Sequence, residues 1–284
     1  MTVRTYSSPN AFRQALERRL ANIAHAESVD IQRLRRQVAF DRLLARLFAD
    51  RDSIWLLKGG YSMELRLRAA RTTRDIDLIA RSLPGGATTV SDRLLRLLQD
   101  AAALDLGDYF VYAIGEVMMD IEAAPYGGAR YPVDTRMDGR TFARFHLDVA
   151  AGDPVLAPLE QVQGRDWLGF AGIPALSVAM ISKEQQFAEK LHAYTLPRSG
   201  SYNSRVRDLL DMLLLIHAGL DPAQTRKAIA SIFDRRDTHA PPDQFPSPPE
   251  SWATPFAALA EECRVNASVD SAVEQVGRFY SQLP

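Results

Sequence analysis

The sequence predicts an α/β (α+β) fold in three parts: N-terminal helices over 1–50, a mixed α/β core over 51–153 and a C-terminal helical domain over 154–284. Three observations lead there. Apolar residues recur at helical spacing before residue 50 and again after 182. Between these stretches, short apolar or alternating runs are punctuated by glycine and by an Asp-Gly turn, as strands are. A chain of 284 residues is long enough to bury one or two cores.

Composition narrows the setting. Hydrophobic content of 46% with 24% charged residues belongs to a soluble globular protein. A net charge of −1 gives no global attraction to nucleic acid, so any such contact must come from a local patch. One cysteine, Cys263, excludes an internal disulfide and fits a reducing compartment. No apolar run is long enough to span a bilayer, and Met1 to Tyr6 lack the apolar core of a signal peptide. A cytoplasmic monomer without membrane contact is expected. Arginines number thirty and lysines four: Lys58, Lys183, Lys190 and Lys227. A lysine in so arginine-rich a chain hints that a compact, rotatable ammonium is wanted there.

Residues 10 to 50 read as two helices broken near Glu27-Ser28-Val29. Nine arginines face five acids in the first fifty residues, with Arg18, Arg19, Arg33, Arg35 and Arg36 grouped. The plain reading is a solvated face; the sharper one is a contact for RNA phosphates. Ile54 to Leu57 form a strand, Gly59-Gly60 open a helix from Tyr61 to Arg68, and Asp75 to Leu78 form the next strand. A helix is expected over 90–106 and one strand over 109–119. Gly127-Gly128 start a hairpin in which 130–136 and 141–149 pair around Asp138-Gly139. On its second strand Ala143, Phe145, Leu147 and Val149 share one face, and Arg144, His146 and Asp148 the other. Residues 154–177 read as irregular. A capping box at Ser182 and Gln185 starts a helix, and a polar loop over 197–204 leads into another from Arg205. Asp221-Pro222 cap a further helix, 237–255 is a proline-rich connector, and two closing helices follow.

The chemistry concentrates in Lys58 to Asp77. Asp75 and Asp77 are two apart, so in a strand both point to one face. Two carboxylates side by side repel, which favours a divalent cation between them. Gly59 and Gly60 follow a strand and open a helix, an arrangement that lets backbone N–H groups approach a phosphate. A D-x-D alone is usually a polar strand face, and a Gly-Gly alone a turn. Together, about fifteen residues apart, they point to nucleotidyl transfer.

Lys58-Gly59-Gly60-Tyr61-Ser62-Met63 and Arg71-Thr72-Thr73-Arg74-Asp75-Ile76-Asp77 resemble the first motif of the DNA polymerase beta-type nucleotidyltransferase superfamily. They are most similar to its AbiEii/AbiGii and MenT-type toxin branch, K-G-G-x-x-L then R-x-T-x-D-I-D. Met63 takes the leucine place. Tyr61 follows the glycines where most of the superfamily has serine, and Ser62 comes one later. Glu189-Lys190-Leu191-His192-Ala193 and Asn203-Ser204-Arg205-Val206-Arg207-Asp208-Leu209-Leu210-Asp211 resemble the later motifs E-K-L-H-A and N-S-R-x-K-D-L-x-D, with Arg207 at a lysine position.

The resemblance implies a polymerase beta-like core in which Asp75 and Asp77 hold Mg²⁺ (or Mn²⁺) and an NTP is the substrate. Asp148 stands as the third catalytic carboxylate. Gly59, Gly60, Ser62 and Lys190 position phosphates, Asp208 sits in the active site, and Asp211 ties its helix to Arg205 or Arg207. Lys58 either adds charge near the nucleotide or caps the first strand. The nucleotide is expected in the cleft between core and helical domain. The protein would be a toxin with a separately encoded antitoxin, transferring a nucleotide to the tRNA 3′ end. The alternatives are transfer to a small molecule or protein side chain, and an inert binding module that keeps the fold. Thr72 and Thr73 precede Asp75; their hydroxyls either satisfy local backbone or offer a regulatory phosphosite, Thr73 first.

Overall fold

The computed structural model describes residues 5–67, 70–83, 85, 88–121, 126–197 and 205–284. Two compact units divide the chain. The first comprises residues up to Tyr61, 72–152 and 161–180; the second comprises 62–71, 153–160 and 181–284.

In the first unit, Ser8 caps α1 (Pro9–Glu27) by accepting the Ala11 N–H, with proline at the first helical position. Ser28 turns into the left-handed region to end it, and Asp30 caps α2 (Ile31–Leu47). The expected break is therefore a stop signal followed two residues later by a start signal. After α2 come β1 (Trp55–Lys58), α3 (Gly59–Arg66, whose residues after Tyr61 belong to the second unit), β2 (Asp75–Ala80), α4 (Val90–Ala102), β3 (Val111–Ile114), β4 (Met119–Asp120), β5 (Gly128–Met137), β6 (Arg140–Ala151), β7 (Glu160–Gln163) and β8 (Ser177–Met180). α3 begins at the glycines themselves.

Among the described residues, eight strands form one mixed sheet in the order β3-β5-β6-β2-β1-β8-β7, with β4 also on β5. β2 runs antiparallel to β1 and parallel to β6. The hairpin β5–β6 turns at Asp138 and Gly139, both at positive φ (56° and 67°), as a two-residue hairpin turn requires. The sheet meets α2 through β6 and β8 and α4 through β3 and β5; Phe145, Leu147 and Val149 of β6 and Leu56, Ile76 and Leu78 of the neighbouring strands are buried. Phe40 of α2 packs edge-on against Phe145 at 4.7 Å and Tyr61 at 4.9 Å. Asp108, fully buried, locks α2 to the segment before β3: Arg42 and Arg46 both reach it at 2.7 Å.

Three local expectations change. The helix expected to Leu106 ends at Ala102, because its buried stripe of Leu94, Leu98 and Ala102 would next require Asp105 or Leu106, and Asp105 instead accepts the Gly107 N–H. The single strand over 109–119 divides into β3 and β4: its partner β5 carries Pro132 opposite Gly115, and proline cannot donate to the ladder. Residues 154–177 are not wholly irregular, since they contain β7 and the start of β8, which pairs in parallel with β1 at Leu57 and Met180.

The second unit is built from α5 (Lys183–Thr195), α6 (Val206–His217), α7 (Pro222–Arg236), α8 (Ala253–Glu262) and α9 (Val269–Ser281). Ser182 caps α5 by accepting the Gln185 N–H. The Gln185 amide turns to the Pro154 carbonyl and the Leu156 N–H, fastening residues 153–160 to α5. Leu209, Leu213, Phe187, Ile229, Phe256 and Val276 share one buried core.

Candidate functional site

Period-two alternation sets Asp75 and Asp77 on the half-exposed face of β2, with Ile76 and Leu78 buried behind them. The parallel register with β6 sets Asp75 beside His146 and Asp77 beside Asp148. Asp77 also lies opposite Lys58 of β1. All three predicted carboxylates thus occupy one face of adjacent strands, and this face lies wholly within the first unit.

Gly59 is held there by a double constraint. Its φ is +65°, and a Cβ would stand 2.0 Å from Asp77 Oδ2. The Gly60 N–H points at the same oxygen, 3.4 Å away. The glycine pair therefore brings backbone against a carboxylate with no side chain intervening.

Two residues to which the sequence reading assigned no role complete the face. Arg130 of β5 grips Asp148 with two 2.7 Å hydrogen bonds and stands 3.7 Å from Asp75. Its hydrogen bonds to Asp148 raise the guanidinium pKa above the ordinary value; partial burial opposes this, and the charges of Asp148, Asp75 and Asp77 reinforce it. His146 Nδ1 lies 3.1 Å from Asp75 Oδ1. The signal for Arg130 was its place on the outward face of the hairpin, readable only with the register known.

Tyr61, at the superfamily's usual serine position, is buried with its hydroxyl 2.5 Å from Asp41 of α2; Trp167 Nε1 meets the other Asp41 oxygen at 2.9 Å. The tyrosine thus anchors the start of α3 to α2. Ser62 is fully buried. Lys58 is half-buried at the end of β1.

The second unit holds the other predicted cluster. Lys190 lies 3.0 Å from Asp208 and 2.9 Å from Asp211, and Arg71 forks Asp211 at 3.0 and 2.9 Å. Arg205 reaches Asp208 at 3.4 Å. Asp211, fully buried on α6, is therefore tied to Arg71 and Lys190, two cations from outside its own helix, where Arg205 or Arg207 was expected. Burial opposes the charge on Lys190, yet Asp208 and Asp211 hold its pKa above the usual lysine value. Burial likewise opposes the charge on Asp211, and Lys190 and Arg71 overcome it, so its pKa is lowered. Arg198 to Ser204, including the Asn203-Ser204 of the motif, lie outside the described residues. Two residues beyond Lys190, in the last turn of α5, buried His192 accepts or donates at Thr238 (2.8 Å) and packs on His239 with ring centroids 4.7 Å apart. Burial, then the Arg236 charge and His239, push its pKa down to about 4.

The arginine group of α1 and α2 is partly engaged within the protein. Arg35 pairs with Glu17 at 2.8 Å and Arg19 lies over the Phe170 ring at 4.0 Å. Arg18 is exposed, and Arg33 and Arg36 are half-buried. Thr73 donates to the Asp75 carbonyl at 3.4 Å, the local backbone contact expected of it, and Thr72 is half-buried beside it.

An oxygen-only donor set of paired carboxylates on one face fits a hard divalent cation. Among the described residues no three His, Cys, Asp or Glu side chains converge as a ready ligand cage; on this face Arg130 takes both oxygens of Asp148, leaving Asp75 and Asp77 as the donor pair. Among the described residues no helix is long and apolar enough to cross a membrane.

A family model described as nucleotidyl transferase AbiEii toxin, type IV toxin–antitoxin system, matches residues 42–274. Among solved structures, the chain is similar to MenT4, a nucleotidyltransferase toxin from Mycobacterium tuberculosis H37Rv. Identity is 17%, the TM-score 0.58, and the match covers 93% of this chain and 98% of that one. JHP933 from Helicobacter pylori is more distant, at 13% identity and a TM-score of 0.45 over 85% of this chain and 88% of that one. No protein of curated function matches. The mixed α/β fold expected from the sequence is the fold of MenT4.

Proposed function

We propose, on the premise that this chain belongs to the AbiEii nucleotidyl transferase toxins of type IV toxin–antitoxin systems, that it transfers a nucleoside monophosphate from an NTP to the tRNA 3′ hydroxyl and so blocks translation. The observation that supports this most is the register of Asp75, Asp77 and Asp148 on one face, with the glycine backbone closed against Asp77.

Asp75 and Asp77 are the ligands for Mg²⁺ or Mn²⁺. When bound, such an ion neutralises charge on the triphosphate and its leaving group. Gly59 and Gly60 let backbone N–H groups approach a phosphate at the start of α3. Asp148 orients the acceptor hydroxyl and takes its proton, and Arg130 fixes the direction in which that carboxylate points. Arg130 also supplies a cation beside the carboxylates once a phosphate competes for it. We assign Lys190 to the phosphates and Asp208 to holding its ammonium in place. A separate antitoxin, implied by the type IV family, restrains the enzyme. Phosphorylation of Thr73, with Thr72 as the second choice, would place close to two negative charges beside Asp75 and Asp77 and repel the incoming triphosphate.

The test is incubation with labelled NTPs, Mg²⁺ and total cellular RNA or protein. Label in tRNA, lost with chelator and in Asp77→Asn, supports the reading. Label in protein or a small molecule transfers the same chemistry to another acceptor, and no label in any fraction leaves only an inert binding module.

A further inference from the structure

The open face of the sheet does not end at the carboxylates. β6 presents Arg144, His146 and Asp148 outward, and β5 presents Arg130, Pro132, Asp134 and Arg136. The ladder sets Asp134 opposite Arg144, Pro132 opposite His146 and Arg130 opposite Asp148. A continuous row of side chains therefore runs from the far end of the hairpin to Asp75 and Asp77. On this row lies an open cavity of about 520 Å³, walled by Arg136, Arg144, Asp134 and His146 and floored by Pro132 and Ala113. Its inner wall, His146, touches Asp75, so the cavity abuts the carboxylates directly.

The charges on its outer wall are arranged to receive an anion. Arg136 and Arg144 each give Nε to Asp134, at 2.7 and 3.4 Å, while their side chains stay 54% and 73% exposed. Two guanidinium groups thus share one carboxylate through Nε, leaving a net charge of +1 on two largely exposed side chains. As surface ion pairs alone, one within β5 and one across to β6, each would stabilise the sheet by less than about 1 kcal/mol. Arg144 precedes Asp148 by four residues on one strand, roughly 13 Å at 3.3 Å per residue. A small acceptor with its hydroxyl at Asp148 would not span that distance, whereas a polynucleotide would.

Building on the transfer reading above, we propose that this cavity binds the phosphodiester backbone of a single-stranded polynucleotide acceptor just upstream of its reacting hydroxyl, with Arg136 and Arg144 as phosphate ligands. The sheet face, rather than the α1–α2 arginines, is then the acceptor track. Asp134 holds both arginines over the cavity and competes with the incoming phosphates.

The experiment measures transfer of labelled nucleotide to tRNA over a range of RNA concentrations and of salt. In an Arg136→Gln/Arg144→Gln double variant, the KM for RNA should rise about tenfold while the KM for NTP stays put. The log–log salt slope should become shallower by about 1.4, at roughly 0.7 per phosphate contact on a single strand. Asp134→Asn should act in the opposite direction, lowering the KM for RNA severalfold, a gain that misfolding cannot imitate. If wild-type protein labels RNA and both variants keep its KM and slope, the cavity is not the acceptor site, although transfer to RNA stands. If wild-type protein labels only protein or a small molecule, the tRNA acceptor and this track fall together while nucleotidyl transfer stands.

Discussion

Gly59→Ala is the sharpest test of the site's geometry. An alanine Cβ there would stand 2.0 Å from Asp77 Oδ2, 2.4 Å from its Cγ and 2.7 Å from its Cβ, on a backbone with φ of +65°. Two costs separate. Holding an L-residue in the left-handed region costs about 1–2 kcal/mol. Relieving the overlap requires the Asp77 side chain or its strand to withdraw by about 1.5 Å to reach normal carbon contact near 3.5 Å. Overpacking of that kind costs about 1–3 kcal/mol, so urea unfolding should show a loss of about 2–5 kcal/mol. A displacement of that size at a carboxylate assigned to the metal should lower kcat/KM about 10²-fold. A double-mutant cycle isolates the contact. With Asp77→Gly all three colliding atoms are gone, and Gly59→Ala should then cost only the backbone share. If Gly59→Ala costs the same in both backgrounds and keeps near-native kcat/KM, the close approach of the glycine to Asp77 is not what sets the site.

Other outcomes follow from the same geometry. Asp75→Asn or Asp77→Asn should reduce transfer by orders of magnitude with the thermal midpoint unchanged or raised, since carboxylate repulsion is relieved; full activity in Asp77→Asn would sink the metal assignment. Asp211→Ala strands Arg71 and Lys190 without their shared carboxylate and should cost about 3–5 kcal/mol in denaturant unfolding. Lys190→Ala should abolish labelling and weaken nucleotide binding, and retained affinity would make the lysine purely structural. Because the pKa of His192 is lowered in the folded state to about 4, its neutral form contributes stability above the ordinary histidine value. That stability drains away as pH falls from about 6.5 to about 4, by roughly 3 kcal/mol in total. His192→Gln should flatten this part of the pH–stability curve, and an unchanged curve would assign the acid loss to other groups. Thr73→Val should stay active and escape any silencing by phosphorylation, while Thr73→Glu should be inactive; a Val variant still fully neutralised by the antitoxin places control elsewhere.

What the sequence disclosed was what short-range periodicity can carry. Asp75, Asp77 and Gly59 belong to one strand–helix–strand passage, so alternation and the helix start located them without knowledge of the rest. Arg130 was beyond that reach. Counting back from the Met137–Arg140 pair at the turn would set Arg130 opposite Leu147. Thr135 instead pairs with Ala143 while Arg136 pairs with Thr141, so Phe142 is an extra residue on β6 and every earlier partner moves by one. That bulge delivers Arg130 to Asp148. Its trace in the sequence is the adjacent pair Phe142-Ala143, both buried, just before the alternation that runs from Ala143 to Val149. β8 escaped because four residues carry too little pattern to tell strand from loop. The partner of Asp211, Arg71, lies 140 positions away, and nothing local to α6 announces it. Tyr61 looked like a departure from a motif until Asp41 supplied the reason.

The chain passes between its two units at five places, after Tyr61, Arg71, Gly152, Glu160 and Met180. Neither unit is a continuous segment, so no single cut releases one intact, and no stop codon trims the protein back to a whole part. A gene end before Gly152 removes carboxylate strands, and one between Gly152 and Met180 removes β8 from the side of β1. One later still opens the core that α9 closes with Val276 and Tyr280. In a cell selected for escape from this toxin, premature stops should therefore be recovered along nearly the whole reading frame. Missense escapes, by contrast, should gather at the few positions where the sheet face and the Lys190 cluster are assembled.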